Sequence, residues 1–164
     1  MTTFAGDLVT LRGKQLVKGD TFPDFAGVDT DLQQVSLTDT SGVRVFLSVP
    51  SVDTGVCSTE LGKFIEYVKE RPQVTCYSVS MDLPFALSRW CQANNNENVK
   101  TLSDYNGQQF GQATGTIVEE LNLLTRAVFV VDAHNVLQHV EYVSEITNEP
   151  DYQAALAAVD ALTA

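Results

Sequence analysis

The sequence predicts an α/β fold: a central mixed β-sheet flanked by helices on both faces, in one domain spanning residues 1–164. Three observations point there. Dense β-branched runs alternate with stretches of helical period, as in successive βα units. The last third instead reads as a β-hairpin followed by a helix, which adds antiparallel strands to a parallel core. No internal repeat, low-complexity tract or Pro/Gly/Ser-rich linker divides the chain, and 164 residues suffice for one hydrophobic core.

Taken in order, "LVTLRGKQLV" reads as a short hairpin about Gly13, and "QQVSLTD" as a short strand. "VRVFLSV", Val43 to Val49, has the density of a buried strand. A helix follows from Cys57 to about Glu70. Cys57, Leu61, Phe64, Ile65 and Val68 share one face, while the charged Glu60, Lys63, Glu66 and Lys69 lie off that stripe. Pro72 bounds it, and "VTCYSVS" is the next strand. A helix over about Pro84 to Gln92 runs into the polar loop "QANNNEN", and "NVKTLSD" is a short extended segment. "RAVFVVD" and "VLQHVEY" flank "AHN" as a hairpin. "NEPDYQAALAAVDAL" closes the chain as a helix with Pro150 in its first turn and Tyr152, Leu156 and Val159 on one face.

Charge and sulfur content narrow the function. Ten Lys plus Arg stand against 21 Asp plus Glu, a formal charge of -11, which argues against nucleic acid or an anionic membrane surface as partner. An acidic chain that uses a cation in its site must place it locally. The opening "MTTFAGDLVTLRGK" lacks the basic and apolar regions of a signal segment, and no apolar run approaches the roughly 18 residues of a membrane span, so a cytoplasmic protein is expected. Three cysteines, an odd number, do not suit a stapled secreted scaffold. His134 and His139 have no partners at zinc spacing and there is no CxxC pair, so no metal site is expected.

Cys57 falls where a strand gives way to a helix. A helix N-terminus favours the thiolate form, because its unpaired N–H groups and macrodipole stabilise negative charge, and only thiolate is a competent nucleophile. Thr54, three residues earlier, offers a hydroxyl to orient the sulfur and an incoming oxygen; Pro50 fixes the turn and shields the sulfur from bulk water. The spacing is Pro-x-x-x-Thr-x-x-Cys. The same residue also fits a small apolar side chain on an inner helix face. Cys91, 34 residues on, lies where a helix meets an Asn- and Glu-rich loop able to loosen locally, and reads equally as a cysteine packed beside Trp90. Arg126, opening "RAVFVV", reads on its own as an exposed strand-capping arginine, Arg89 as part of a solvated helix face, and Cys76 as a buried structural cysteine.

Together "FPDF", "PSVDTGVCSTELGKF", "SVSMDLPFALSRWC", "RAVFVVD" and "VSEITNEPDYQAAL" resemble the thiol peroxidase (Tpx) subfamily of peroxiredoxins, nearly end to end. The resemblance implies a thioredoxin-like fold with an N-terminal β-hairpin extension, a homodimer, and a peroxidase with no cofactor. It implies Cys57 as peroxidatic cysteine, Thr54 and Pro50 as its framing residues, Arg126 as the active-site arginine, and Cys91 as resolving cysteine in the same chain. The implied cycle reduces a hydroperoxide, with alkyl and lipid-like hydroperoxides favoured over hydrogen peroxide. It forms a Cys57–Cys91 disulfide that thioredoxin reduces. Two other classes remain to be weighed: a Cys–His hydrolase using Cys57, for which no orienting Asn or Asp can be assigned, and a redox-inert binding module, expected to lack Thr54, Arg126 or Cys91. The chain departs from the subfamily in "GTIVEELNLLTRAV", with Glu119 and Glu120 in a loop expected near the active-site rim, and in Gln92 after the resolving cysteine.

Overall fold

The computed structural model describes residues 1–163. The chain opens with β1 (Thr2–Phe4), β2 (Asp7–Val9) and β3 (Leu11–Arg12), then β4 (Ala26–Val28), β5 (Gln34–Ser36) and a 3-10 turn over Leu37–Asp39. The central run is β6 (Val43–Ser48), α1 (Gly55–Lys69), β7 (Val74–Ser80), α2 (Pro84–Ala93) and β8 (Val99–Ser103). It ends with α3 (Gln109–Thr114), β9 (Ile117–Val118), β10 (Leu123–Leu124), β11 (Ala127–Val131), β12 (Leu137–Tyr142) and α4 (Tyr152–Thr163).

Seven strands form the main sheet in the order β12-β11-β6-β7-β8-β4-β5. The pairs β6–β7 and β7–β8 are parallel, and the others antiparallel. A parallel pair needs a crossover, and α1 and α2 supply the two crossovers. Successive side chains of a strand point to opposite faces, so β6 sends Val45 and Leu47 to one side and Phe46 to the other, and β11 divides Val128 and Val130 from Phe129 and Val131. The first side is covered by Leu61, Phe64 and Ile65 of α1, Leu87 and Trp90 of α2, and Ala155 and Val159 of α4. The second holds an aromatic cluster: Phe22 stacks on Phe46 at 5.0 Å, and Phe110 of α3 meets Phe25 edge-on at 5.2 Å. Each fully buried phenylalanine contributes roughly 1.5–3 kcal/mol. Among the described residues no helix is long and apolar enough to cross a membrane.

Three local expectations are corrected. The N-terminal hairpin turns at Ala5 and Gly6, not at Gly13. Phe4 pairs with Asp7, and the two turn residues have φ of 51° and 88°, as a two-residue turn with both φ positive requires. Gly13 is also left-handed, but it serves close packing: a Cβ there would lie 3.2 Å from the Gln112 carbonyl oxygen. The strand expected over "QQVSLTD" stops at Ser36, because Ser36 and Asp39 form a reciprocal capping box that starts the 3-10 turn. Pro150 precedes α4 by two residues, and Asp151 begins the helix by accepting the Ala154 N–H at 3.1 Å.

Candidate active site

The sheet topology sets where chemistry can gather. In open α/β sheets the carboxyl ends of strands beside a change of direction form a crevice. β6 is such a strand, parallel to β7 on one side and antiparallel to β11 on the other. Ala127 pairs with Ser48, so the residue entering β11, Arg126, lies beside the chain leaving β6 toward α1.

That exit loop is fastened from beneath. Asp82, just past β7, accepts Ser51 Oγ and the Val52 N–H, both at 2.8 Å. Pro50 is buried at the loop's start. Thr54 is the N-cap of α1: its backbone is extended and its Oγ1 accepts the Cys57 N–H at 3.2 Å, while the same hydroxyl donates to the Ser51 carbonyl at 3.2 Å. Cap and cysteine are three residues apart because that is the reach of an N-cap side chain to the third helical N–H. Gly55 and Val56 are left with N–H groups that have no intrahelical acceptor, which is the anion-favouring end of the helix.

Cys57 is fully buried, and the guanidinium beside it is not the exposed strand cap that residue type alone suggests. Arg126 is 2% exposed. Its Nε donates to the Ile146 carbonyl at 2.8 Å and its Nη1 to Glu60 Oε1 at 2.8 Å. Burial works against its charge, but the Cys57 sulfur and the Glu60 carboxylate outweigh that and hold its pKa above the ordinary value. Glu60, one of the charged residues off the apolar stripe of α1, is nonetheless 0% exposed and belongs to this cluster. Burial raises its carboxyl above the usual range, with Arg126 pulling the other way. Its Oε2 has no hydrogen-bond partner among the described residues. The available signal was its position: i+3 from Cys57 places both on one helix face.

The carbonyl that holds Arg126 is itself held. Ile146 donates its N–H to the Thr3 carbonyl at 2.8 Å, and Thr3 donates its N–H to the Ser144 carbonyl at 2.8 Å. Between them Glu145 accepts the N–H groups of Ala5, Gly6 and Thr147 at 2.8–3.0 Å. Hydrogen bonds from Thr147 first, then from the Gly6 N–H and the Thr3 hydroxyl, bring its carboxyl down to about 2. The N-terminal hairpin therefore clamps the segment that orients the arginine.

Cys91 is not part of this cluster. It lies in the last turn of α2, partly exposed, with Asn96 Nδ2 at 3.3 Å and Thr101 Oγ1 at 3.5 Å from its sulfur. All three cysteines are free. Cys76 is sealed inside β7, where burial and then the Glu60 charge push its thiol far upward, so it stays protonated and unreactive. Arg89 makes an exposed ion pair with Asp53 at 2.9 Å, which ties α2 loosely to the loop before α1. Glu119 and Glu120 face the N-terminal segment: Glu120 accepts the Thr10 N–H at 2.8 Å, and Glu119 meets Arg12 at 3.5 Å. No group of His, Cys, Asp and Glu among the described residues could hold a metal ion.

A capped cysteine at a helix start, facing a buried arginine, is an arrangement suited to a nucleophilic sulfur, and comparison with known proteins places the whole chain in a family. The profile of the Redoxin family matches residues 17–156. A thiol peroxidase of Clostridium acetobutylicum is 50% identical over 158 residues, 96% of each chain. The chain belongs to the thiol peroxidases of the redoxin family. Another thiol peroxidase, from Streptococcus sanguinis, is 46% identical over 99% of this chain and 100% of its own. The crystal structure of a peroxiredoxin-like protein from Aquifex aeolicus superposes with a TM-score of 0.93 at 38% identity, over 98% of this chain and 96% of that one. A Chromobacterium violaceum thiol peroxidase shares the fold, with a TM-score of 0.90 at 20% identity over 98% of this chain and 95% of that one. The expected fold, a mixed sheet of thioredoxin type with an N-terminal hairpin, is that of this thiol peroxidase family.

Proposed function

We propose that this chain reduces hydroperoxides in a two-cysteine cycle, with Cys57 as the attacking sulfur and Cys91 as its intramolecular partner. The observation that carries the reading is the meeting of Cys57, capped by Thr54, with the buried guanidinium of Arg126. Thiolate attacks the terminal oxygen of the hydroperoxide; an S–O bond forms as the O–O bond breaks, Cys57 is left as the sulfenic acid, and the departing oxygen takes a proton to become alcohol or water. Negative charge moves from sulfur toward the leaving oxygen during this step. Arg126 and the free N–H groups at the start of α1 are fixed before reaction and meet that charge as it develops, so they bind the transition state more tightly than the ground state. Thr54, whose hydroxyl already serves the Cys57 N–H, holds the sulfur in line, and Pro50 excludes water.

Cys91 then condenses with the sulfenic acid, and a thioredoxin-type dithiol reduces the resulting disulfide by exchange. The same reading takes alkyl and lipid-like hydroperoxides as preferred substrates, a homodimer as the working unit and the cytoplasm as the location. All of these rest on the resemblance to thiol peroxidases. The test is peroxide consumption by reduced protein with a thioredoxin system, followed by mass mapping without reduction, for the parent, Cys57→Ser and Cys91→Ser. The expected result is turnover with a Cys57–Cys91 linkage, abolished by Cys57→Ser and stalled after one oxidation by Cys91→Ser. A parent that hydrolyses esters but consumes no peroxide would overturn the reading in favour of a hydrolase.

A further inference from the structure

The last turn of α2 is fastened to the sheet through one side chain. Asn96 Nδ2 donates to Cys91 Sγ at 3.3 Å and to the Val99 carbonyl at 2.8 Å. Its Oδ1 accepts the N–H groups of Asn98 at 3.2 Å and Val99 at 3.0 Å. Its own N–H donates to the Cys91 carbonyl at 2.8 Å. A primary amide has two donors and two acceptor sites, and here all four are used. The Thr101 hydroxyl approaches the same sulfur from β8 at 3.5 Å. Cys91 is thus clasped to β8, a strand paired on both edges, whereas the sulfur it must meet lies against Arg126.

We propose that Asn96 is a positioning residue that latches the Cys91 thiol to β8 and sets the rate at which it is released to oxidised Cys57. The inference rests on the reading of Cys91 as the resolving cysteine. In the step concerned, the S–O bond of the Cys57 sulfenic acid breaks and an S–S bond forms; the hydroxyl leaves as water with the Cys91 thiol proton. Cys91 is oxidised, and the hydroperoxide already consumed is the oxidant. A disulfide brings its two sulfurs to about 2 Å, and both cysteines are free here, so the Cys91 sulfur must leave the Asn96 contact as the sulfurs join. Besides the packing of Cys91 against the core and the backbone bonds of the helix end, few side-chain bonds hold this turn. Asn94 Nδ2 bonds the Trp90 carbonyl at 2.9 Å, the Arg89–Asp53 pair is exposed, and α2 has no side-chain cap at its start. Release costs the latch and a frayed turn while Leu87 and Trp90 stay in the core.

Trp90 is the only tryptophan, is 5% exposed and adjoins Cys91, so its emission reports the opening. Reduced protein is mixed rapidly with cumene hydroperoxide, and two phases are read: oxidation of Cys57, which scales with peroxide, and disulfide formation, which does not. Asn96→Ala removes the latch. Asn96→Asp keeps the acceptors for the Asn98 and Val99 N–H groups and removes both donor contacts, to the Cys91 sulfur and to the Val99 carbonyl, so it reads the donor half of the latch even if the alanine variant loses α2. Both are expected to speed the peroxide-independent phase about three- to tenfold, the worth of one or two hydrogen bonds, with Thr101→Val giving less. Both should lower the yield of sulfinic acid at high peroxide, and neither should change the peroxide-dependent phase. An unchanged or slower second phase, or equal slowing of both phases, overturns the latch. Failure of the underlying reading has a different signature: Cys91→Ser would keep the second phase, and the parent would show no Cys57–Cys91 linkage.

Discussion

The two cysteine-bearing helix ends are built in opposite ways. The start of α1 is fully buried at Cys57, capped by Thr54, anchored through Asp82 and bounded by the Arg126–Glu60 pair. The end of α2 is partly exposed, carries no charge-assisted anchor at its cysteine, and is finished by asparagine side chains. The difference fits the roles proposed for the two sulfurs. Stabilising charge that appears only in a transition state requires dipoles fixed beforehand. Travelling to a partner requires an end whose opening costs little.

The comparison can be broken most decisively at Arg126. Arg126→Met should lower the rate constant for peroxide reduction by about 10²–10³, the usual consequence of losing one preorganised donor. Stopped-flow kinetics on the folded variant would show it, and a loss below tenfold would mean that the helix end does the work alone. Glu60 comes next. Glu60→Ala leaves a buried guanidinium without its carboxylate, so urea unfolding should show a loss of about 3–5 kcal/mol. Its pH behaviour has a definite sign. The folded pKa is raised above the ordinary 4.5, so the contribution of Glu60 is greatest in acid and falls as pH climbs through the raised value; Glu60→Gln should flatten that fall.

A smaller contrast should be visible without mutation. In native-state hydrogen exchange, amides of the last turn of α2 should exchange through local opening, well before those in the middle of α1, and equal protection would abolish the distinction. The smallest effect is expected at Glu145, whose depressed pKa gives the opposite sign to Glu60. Its contribution is present above 4.5 and is lost as pH falls toward about 2. Glu145→Gln should remove that acid dependence, with its loss of stability seen at neutral pH and vanishing as the pH falls toward about 2, as equilibrium unfolding across the acid range would reveal.

Much of the candidate site is legible in the chain. Pro50, Thr54 and Cys57 are neighbours in sequence, and a strand followed by a helical period already places them at a helix start. The run β6-α1-β7-α2-β8 was readable because long elements repeat their pattern often enough to show it. Two-residue strands such as β3, β9 and β10 have no period to display. The hairpin turn was misplaced because a left-handed glycine serves close packing as well as turning. Glu60 and the burial of Arg126 were hidden for a different reason: a charged residue reads as solvated unless its partner is known, and this partner lies 66 residues away. Asn96 was concealed in a polar loop, where composition distinguishes a filled amide from a solvated one no better.

The N-terminal hairpin has a practical consequence. Met1 is 98% exposed, which makes this end look like a harmless place for an affinity tag or for trimming. Yet Thr3 is bonded through its backbone to Ser144 and Ile146, and the Ile146 carbonyl is what Arg126 holds. Enzyme that has lost its first few residues would lose the contacts that hold Arg126 in the proposed site, whereas a tag at the far end, beyond α4, leaves that chain of contacts alone.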